Sequence, residues 1–213
     1  MAASAADLEP FQAHLARQRG ADRRTLLRAL RGARLRRLLD DWAGELSALA
    51  DSARSADGAA WSAGALARAK LARAHRRVVR GGTAICDSSA PEELHVLRKW
   101  CKELRYALEM FAPVLDDAHV GKAIKDLKSL QDVLGQFQDS EVQRTRLHWF
   151  AQEMVADGAP AEALLAMGEL MGHLSAEQQR ARAEFATAFA SYVRPASYRR
   201  MTRLLGSGGK AAG

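Results

Sequence analysis

Two stretches of this 213-residue chain, residues 95–111 and 127–137, return an apolar side chain every three or four positions. That is the period of a helix with one buried side, not of a strand. Alternating β-branched runs are nearly absent elsewhere, and Ala, Leu and Arg dominate. An all-α fold is therefore expected. Hydrophobic residues make up 48% of the chain, enough for one core of good size or two small packed units.

The turn signals divide the chain into long helices. In residues 1–51, Leu8, Phe11 and Leu15 open a helical pattern, and Gly20 and Gly32 are its weak points. Residues 52–62 collect Ser, Asp and Gly and read as a linker. A helix is expected over 63–79, stopped by the pair Gly81–Gly82. The next starts at "DSSAPEEL", with Ser88 or Ser89 as cap, Pro91 in the first turn and Glu92 and Glu93 at the dipole's positive end. It is expected to end near Pro113. Two more run over 119–155 and 161–192, and a short one covers "SYRRMTRLL". Residues 63–206 thus read as a four-helix bundle, and 207–213 as a disordered tail. A faint repeat relates the segment after His14 to that after His173, each a helix followed by a short basic–apolar helix.

The segment "HVLRKWCKELRYALEMF" carries the charge pattern that matters. At 100° per residue, His95, Arg98, Lys99, Lys102, Arg105, Tyr106 and Glu109 share an arc of roughly 120°. Leu97, Trp100, Cys101, Leu104, Ala107, Leu108 and Phe111 occupy the opposite side. A solvated face normally interleaves Glu with Lys, since like charges one turn apart repel. Only Glu109 relieves that repulsion here, so an anion is the expected occupant. Lys70, Arg73, Arg76, Arg77 and Arg80 form a second basic side on the preceding helix. On the following one, Lys128, Gln131, Asp132, Gly135 and Asp139 lie together, opposite Leu127, Leu130, Leu134 and Phe137. A glycine on a polar helix face costs about 1 kcal/mol relative to alanine, so something must approach Gly135 closely. The net charge of +7 agrees with a polyanionic partner without choosing among nucleic acid, anionic lipid and polyphosphate.

These residues resemble the CHAD family of α-helical domains. Its motif H-x-x-R-K-x-x-K-x-L-R-Y is met by His95, Arg98, Lys99, Lys102, Leu104, Arg105 and Tyr106. The following K-x-L-Q-x-x-L-G and the Asp four residues later are met by Lys128, Leu130, Gln131, Leu134, Gly135 and Asp139. The resemblance implies two pseudo-symmetric four-helix bundles whose basic faces line a groove. It also implies binding of inorganic polyphosphate and association with polyphosphate granules, without catalysis. It covers the second bundle, about 60–207, throughout. Residues 1–51 resemble only the last portion of the first bundle, which lacks its own basic helix. The expectation is either an N-terminally truncated chain or a homo-oligomer in which self-association completes the groove.

The expected polyphosphate-binding residues are accordingly His95, Arg98, Lys99, Lys102, Arg105, Tyr106, Lys128 and Gln131, with Lys70, Arg73, Arg77 and Arg80 beside them. Arginines engage phosphate oxygens with two N–H groups, lysines act as point charges, and binding tightens in mild acid if His95 must protonate. Nucleic acid is the alternative ligand, but aromatic residues make up only 6% and fall mostly on core faces, so no stacking platform emerges. A purely structural interaction module is a third reading. Nothing points to an enzyme: the carboxylates of this helix scatter, Gly121–Lys122 and Gly209–Lys210 lie outside any Walker-type loop, and no histidine pair has zinc-ligand spacing. No cofactor is implied. His14 and His75 are expected in or beside the core. With two cysteines, no basic-then-apolar leader and no long apolar run, a cytoplasmic protein without a membrane partner is expected.

Overall fold

The computed structural model describes residues 4–55, 62–115 and 119–206. Among them are seven α-helices and no strand: α1 (Glu9–Leu30), α2 (Ala33–Ser55), α3 (Ala63–Ala84), α4 (Pro91–Leu115), α5 (Val120–Ala156), α6 (Ala161–Val193) and α7 (Pro195–Gly206). The fold is all-α, as the periodicity requires. The tail expected at 207–213 and most of the linker expected at 52–62 lie outside the described residues. Of that linker, residues up to Ser55 belong to α2, while the Ser62 hydroxyl accepts the Ala65 N–H and caps α3.

The chain divides into two compact units, Met1–Ala60 with Trp149–Leu170, and Trp61–His148 with Met171–Gly213. Residues 149–170, which a consecutive division would give to the C-terminal bundle, therefore group with the N-terminal helices. In the first unit, Phe11 and His14 of α1 are buried against Phe150, with ring centroids 6.2 and 5.4 Å apart. His14 Nε2 lies 3.1 Å from Glu153 Oε2. The expectation that His14 packs beside the core holds.

The second unit has the larger core. Leu97, Cys101, Leu104 and Leu108 of α4 are all buried, as are Leu127, Leu130, Leu134 and Phe137 of α5. These are the apolar arcs read from the sequence. Burial holds the Cys101 thiol far from ionisation, pushing it up to about 12. Leu71 and Val78 of α3 join the same cluster with Phe185 and Tyr192 of α6 and Leu204 of α7.

Three local expectations are corrected. First, α3 does not stop at Gly81–Gly82 but runs on to Ala84. A Cβ on Gly81 would stand 2.5 Å from the Trp100 ring, and one on Gly82 would overlap Phe189. The pair lets two aromatic rings lie against the α3 backbone, and so serves packing and not termination. Second, neither Ser88 nor Ser89 caps α4. The Glu93 carboxylate accepts the Ala90 N–H at 3.0 Å, and the Ser89 hydroxyl accepts the Cys86 N–H within the preceding turn. Third, α4 continues through Pro113 to Leu115.

Candidate functional site

The α4 helix presents its polar arc as the periodicity predicts. Lys99 and Tyr106 are exposed, and His95, Arg98, Lys102 and Arg105 are half-buried, their stems lying along the bundle. The Arg105 guanidinium stacks 4.9 Å from the Tyr106 ring centroid and lies 3.5 Å from Glu109. Two donors lack a protein acceptor, Arg105 Nε on α4 and Gln131 Nε2 on α5, both buried. A buried N–H without a partner costs of order 1–3 kcal/mol, so this seam carries more donor capacity than it satisfies.

His95 is tied down. Its Nδ1 stands 2.8 Å from Gln138 Oε1 on α5. Because Oε1 accepts, Nδ1 carries the proton, and Nε2 becomes a donor only in the imidazolium. Gln138 thus fixes the ring's orientation, whatever Nε2 meets.

The view of α4 as nearly free of carboxylates requires a correction. Counting angles on one helix misses what its neighbours supply. Arg98 faces Asp139 at 3.9 Å and shares a concavity with Asp132, Gly135 and Glu177. Three carboxylates against one guanidinium make that hollow a poor seat for an anion. A Cβ added at Gly135 would meet only Arg98 Nε, at 4.0 Å, an ordinary van der Waals contact, so the close approach expected at this glycine is not found.

The α3 arginines form a separate cluster. Arg73, Arg76, Arg77 and Arg80 line a concavity of about 550 Å³ floored by Gly81 and Trp100. Arg77 pairs with Glu103 of α4 and sits 5.4 Å from the Trp100 ring centroid. Glu103 thus stands between the α3 arginines and the Lys99–Lys102 edge of α4. Lys70 is exposed one turn before Arg73, and Lys128 is exposed on α5 one turn before Gln131. The expected residues therefore fall in two groups. His95, Lys99, Lys102, Arg105 and Tyr106 follow one another along the polar arc of α4, Arg98 and Gln131 share the acidic hollow with α5, Lys128 stands exposed on α5, and Lys70, Arg73, Arg77 and Arg80 lie apart on α3.

One basic cluster went unread in the sequence. His119 and Lys122 at the start of α5 meet Arg199, Arg200 and Arg203 of α7 around a hollow of about 310 Å³. Arg200 pairs with Asp126, and Arg194 lies 3.8 Å from the same carboxylate. The signal was the short basic helix "SYRRMTRLL", noticed as a repeat and not as a site. Among the described residues, no helix is long and apolar enough to cross a membrane.

No curated protein matches the chain. A family model of the CHAD domain matches residues 1–148. That span takes in both N-terminal helices, the arginines of α3 and the whole motif from His95 to Asp139. By this match over more than two-thirds of its length, the chain belongs to the CHAD family.

Proposed function

We propose that this protein binds linear inorganic polyphosphate along α4, without catalysis, and that this binding places it on polyphosphate granules. One observation carries the reading: Lys99, Lys102 and Arg105 line one edge of α4, where the Arg105 Nε–H has no protein acceptor. Cations recurring at about one helical turn, 5.4 Å, can contact successive phosphates of an extended chain. Arg105 supplies a planar fork to phosphate oxygens, Lys99 and Lys102 supply point charge, and Tyr106 supplies a hydroxyl. Membership of the CHAD family supports polyphosphate over other polyanions.

Fluorescence titration with polyphosphate, and with single-stranded DNA of matched charge, tests the ligand. Polyphosphate is expected to bind more tightly, and its affinity to fall steeply with added salt, by analogy with counterion release from nucleic acids. Tighter DNA binding would replace the ligand, and phosphate release from polyphosphate or ATP would overturn the non-catalytic reading.

The site is tested by Lys102→Glu. Losing one charge-assisted contact is expected to weaken binding by about 10- to 100-fold. Helicity and Tm should hardly change, because the side chain leaves the core face. Unaltered affinity in moderate salt would move the site to the α3 or α7 arginines, which Arg73→Glu and Arg203→Glu then separate.

A further inference from the structure

The hollow between the start of α5 and α7 gathers cations that binding along α4 does not use. His119, Lys122, Arg199, Arg200 and Arg203 line it, with no carboxylate among the lining residues. Asp126 pairs with Arg200 and lies 3.8 Å from Arg194, so one carboxylate is shared by two arginines. Lys122 and Arg199 are exposed and make no ion pair among the described residues.

Both helices hold these charges at a cost. α7 has three arginines and no Asp or Glu between Pro195 and Gly206. Ser197, Met201 and Leu204 form its buried side, and Arg199, Arg200 and Arg203 share an arc of about 100° outside it. Cations one turn apart repel. Lys122 stands in the first turn of α5, where the helix dipole favours an anion, and that turn has no acidic residue. α4, by contrast, opens on Glu92 and Glu93. An anion bound in the hollow would relieve both costs, for the reason that helix N-termini collect phosphate groups in general.

Nine residues of α5 separate Lys122 from Gln131, which sets them about 180° apart around the helix. The α7 hollow and the hollow of Arg98 and Gln131 therefore open on opposite sides of α5. A space of about 310 Å³ equals the liquid volume of about ten waters, room for about two or three phosphate groups. We propose that this hollow is a second phosphate site, taking a short run of phosphates independently of the α4 edge. Arg199 and Arg203 present planar forks to phosphate oxygens, and Lys122 adds point charge.

The test is calorimetric titration of the full chain with tripolyphosphate, where saturable binding of one anion per chain is expected. Lys122→Glu and Arg199→Glu should each weaken it by about tenfold or more. Helicity should not change, because both side chains are exposed. Lys102→Glu makes the same change of charge on α4 and should hardly alter tripolyphosphate binding. Displacement of tripolyphosphate from the Lys102→Glu protein by long-chain polyphosphate would assign the hollow to chain ends, and no displacement would assign it to short phosphates in solution. Asp116 and Asp117 precede α5 in the sequence and lie outside the described residues. Were they to neutralise the hollow, the parent chain would bind no tripolyphosphate, and the inference would fall. Equal losses from Lys102→Glu and Arg199→Glu, or none from Lys122→Glu and Arg199→Glu, would also overturn it. Long-chain binding by Lys102→Glu tests the α4 edge separately, so either site can fail without the other.

Discussion

Gly82→Ala is expected to destabilise the second unit by about 3 kcal/mol, the upper end of what overpacking one methyl costs. The added carbon would overlap three atoms of the Phe189 ring. That ring has little freedom to retreat, because it stacks on Phe185 at 5.7 Å and lies 6.5 Å from Tyr192, centroid to centroid. The propensity gain of alanine over glycine, about 1 kcal/mol, offsets only part of the clash. Gly81→Ala provides the contrast. Its new carbon meets Trp100, a half-exposed ring that can swing outward beneath Arg77. Clash and propensity then nearly cancel. Urea unfolding of both variants measures the difference, and a Gly82→Ala protein as stable as the parent would mean that Phe189 is not held by its neighbours.

Acid should destabilise the same unit through His75. Burial, reinforced by the neighbouring Arg76 charge, lowers this imidazole from 6.5 to about 4. The ring sits between Tyr198 at 5.7 Å and Tyr192 at 6.1 Å, centroid to centroid. Between pH 6.5 and 4 the unfolded chain takes up a proton that the folded chain refuses. Stability contributed above pH 6.5 is therefore lost progressively as the pH falls, by about 3 kcal/mol at pH 4. His75→Leu removes that slope while leaving the slopes of the carboxylates in place. Unfolding free energies of the two proteins, measured from pH 7.5 to 4, should diverge by this amount. Parallel curves would mean that His75 is protonated without cost in the folded state.

The sequence was most informative where one helix decides its own environment. Leu97, Cys101, Leu104 and Leu108 had to be buried together because 3.6 residues per turn put them on one line, and the same held for Leu127 to Phe137. Positions decided by a second helix were harder to read. Gly81 and Gly82 carry the signature of a helix end, yet the rings of Trp100 and Phe189, 19 and 107 residues later, give them another purpose. Asp139 faces Arg98 from α5, and Asp132 and Glu177 line the same hollow from α5 and α6, so no wheel drawn for α4 alone could count them. His95 followed the same rule: its place on the polar arc was legible, but Gln138, 43 positions away, was not. The basic hollow between α5 and α7 combines residues some 80 positions apart, and neither half is conspicuous by itself.

The pairing of Glu103 with Arg77 bears on what the α3–α4 surface can discriminate. On the polyphosphate reading, Glu103 is a resident competitor, holding one guanidinium that an incoming anion must win. A single orthophosphate gains little by that exchange, since it replaces one carboxylate contact with another of similar strength. A long chain already anchored at Lys99 and Lys102 competes at high effective concentration and displaces the carboxylate readily. An internal counter-charge of this kind turns a sticky basic surface into a filter for polymer length. On the same reading, free phosphate and nucleotides would stay in solution, and only anions long enough to bind in several places at once would be engaged.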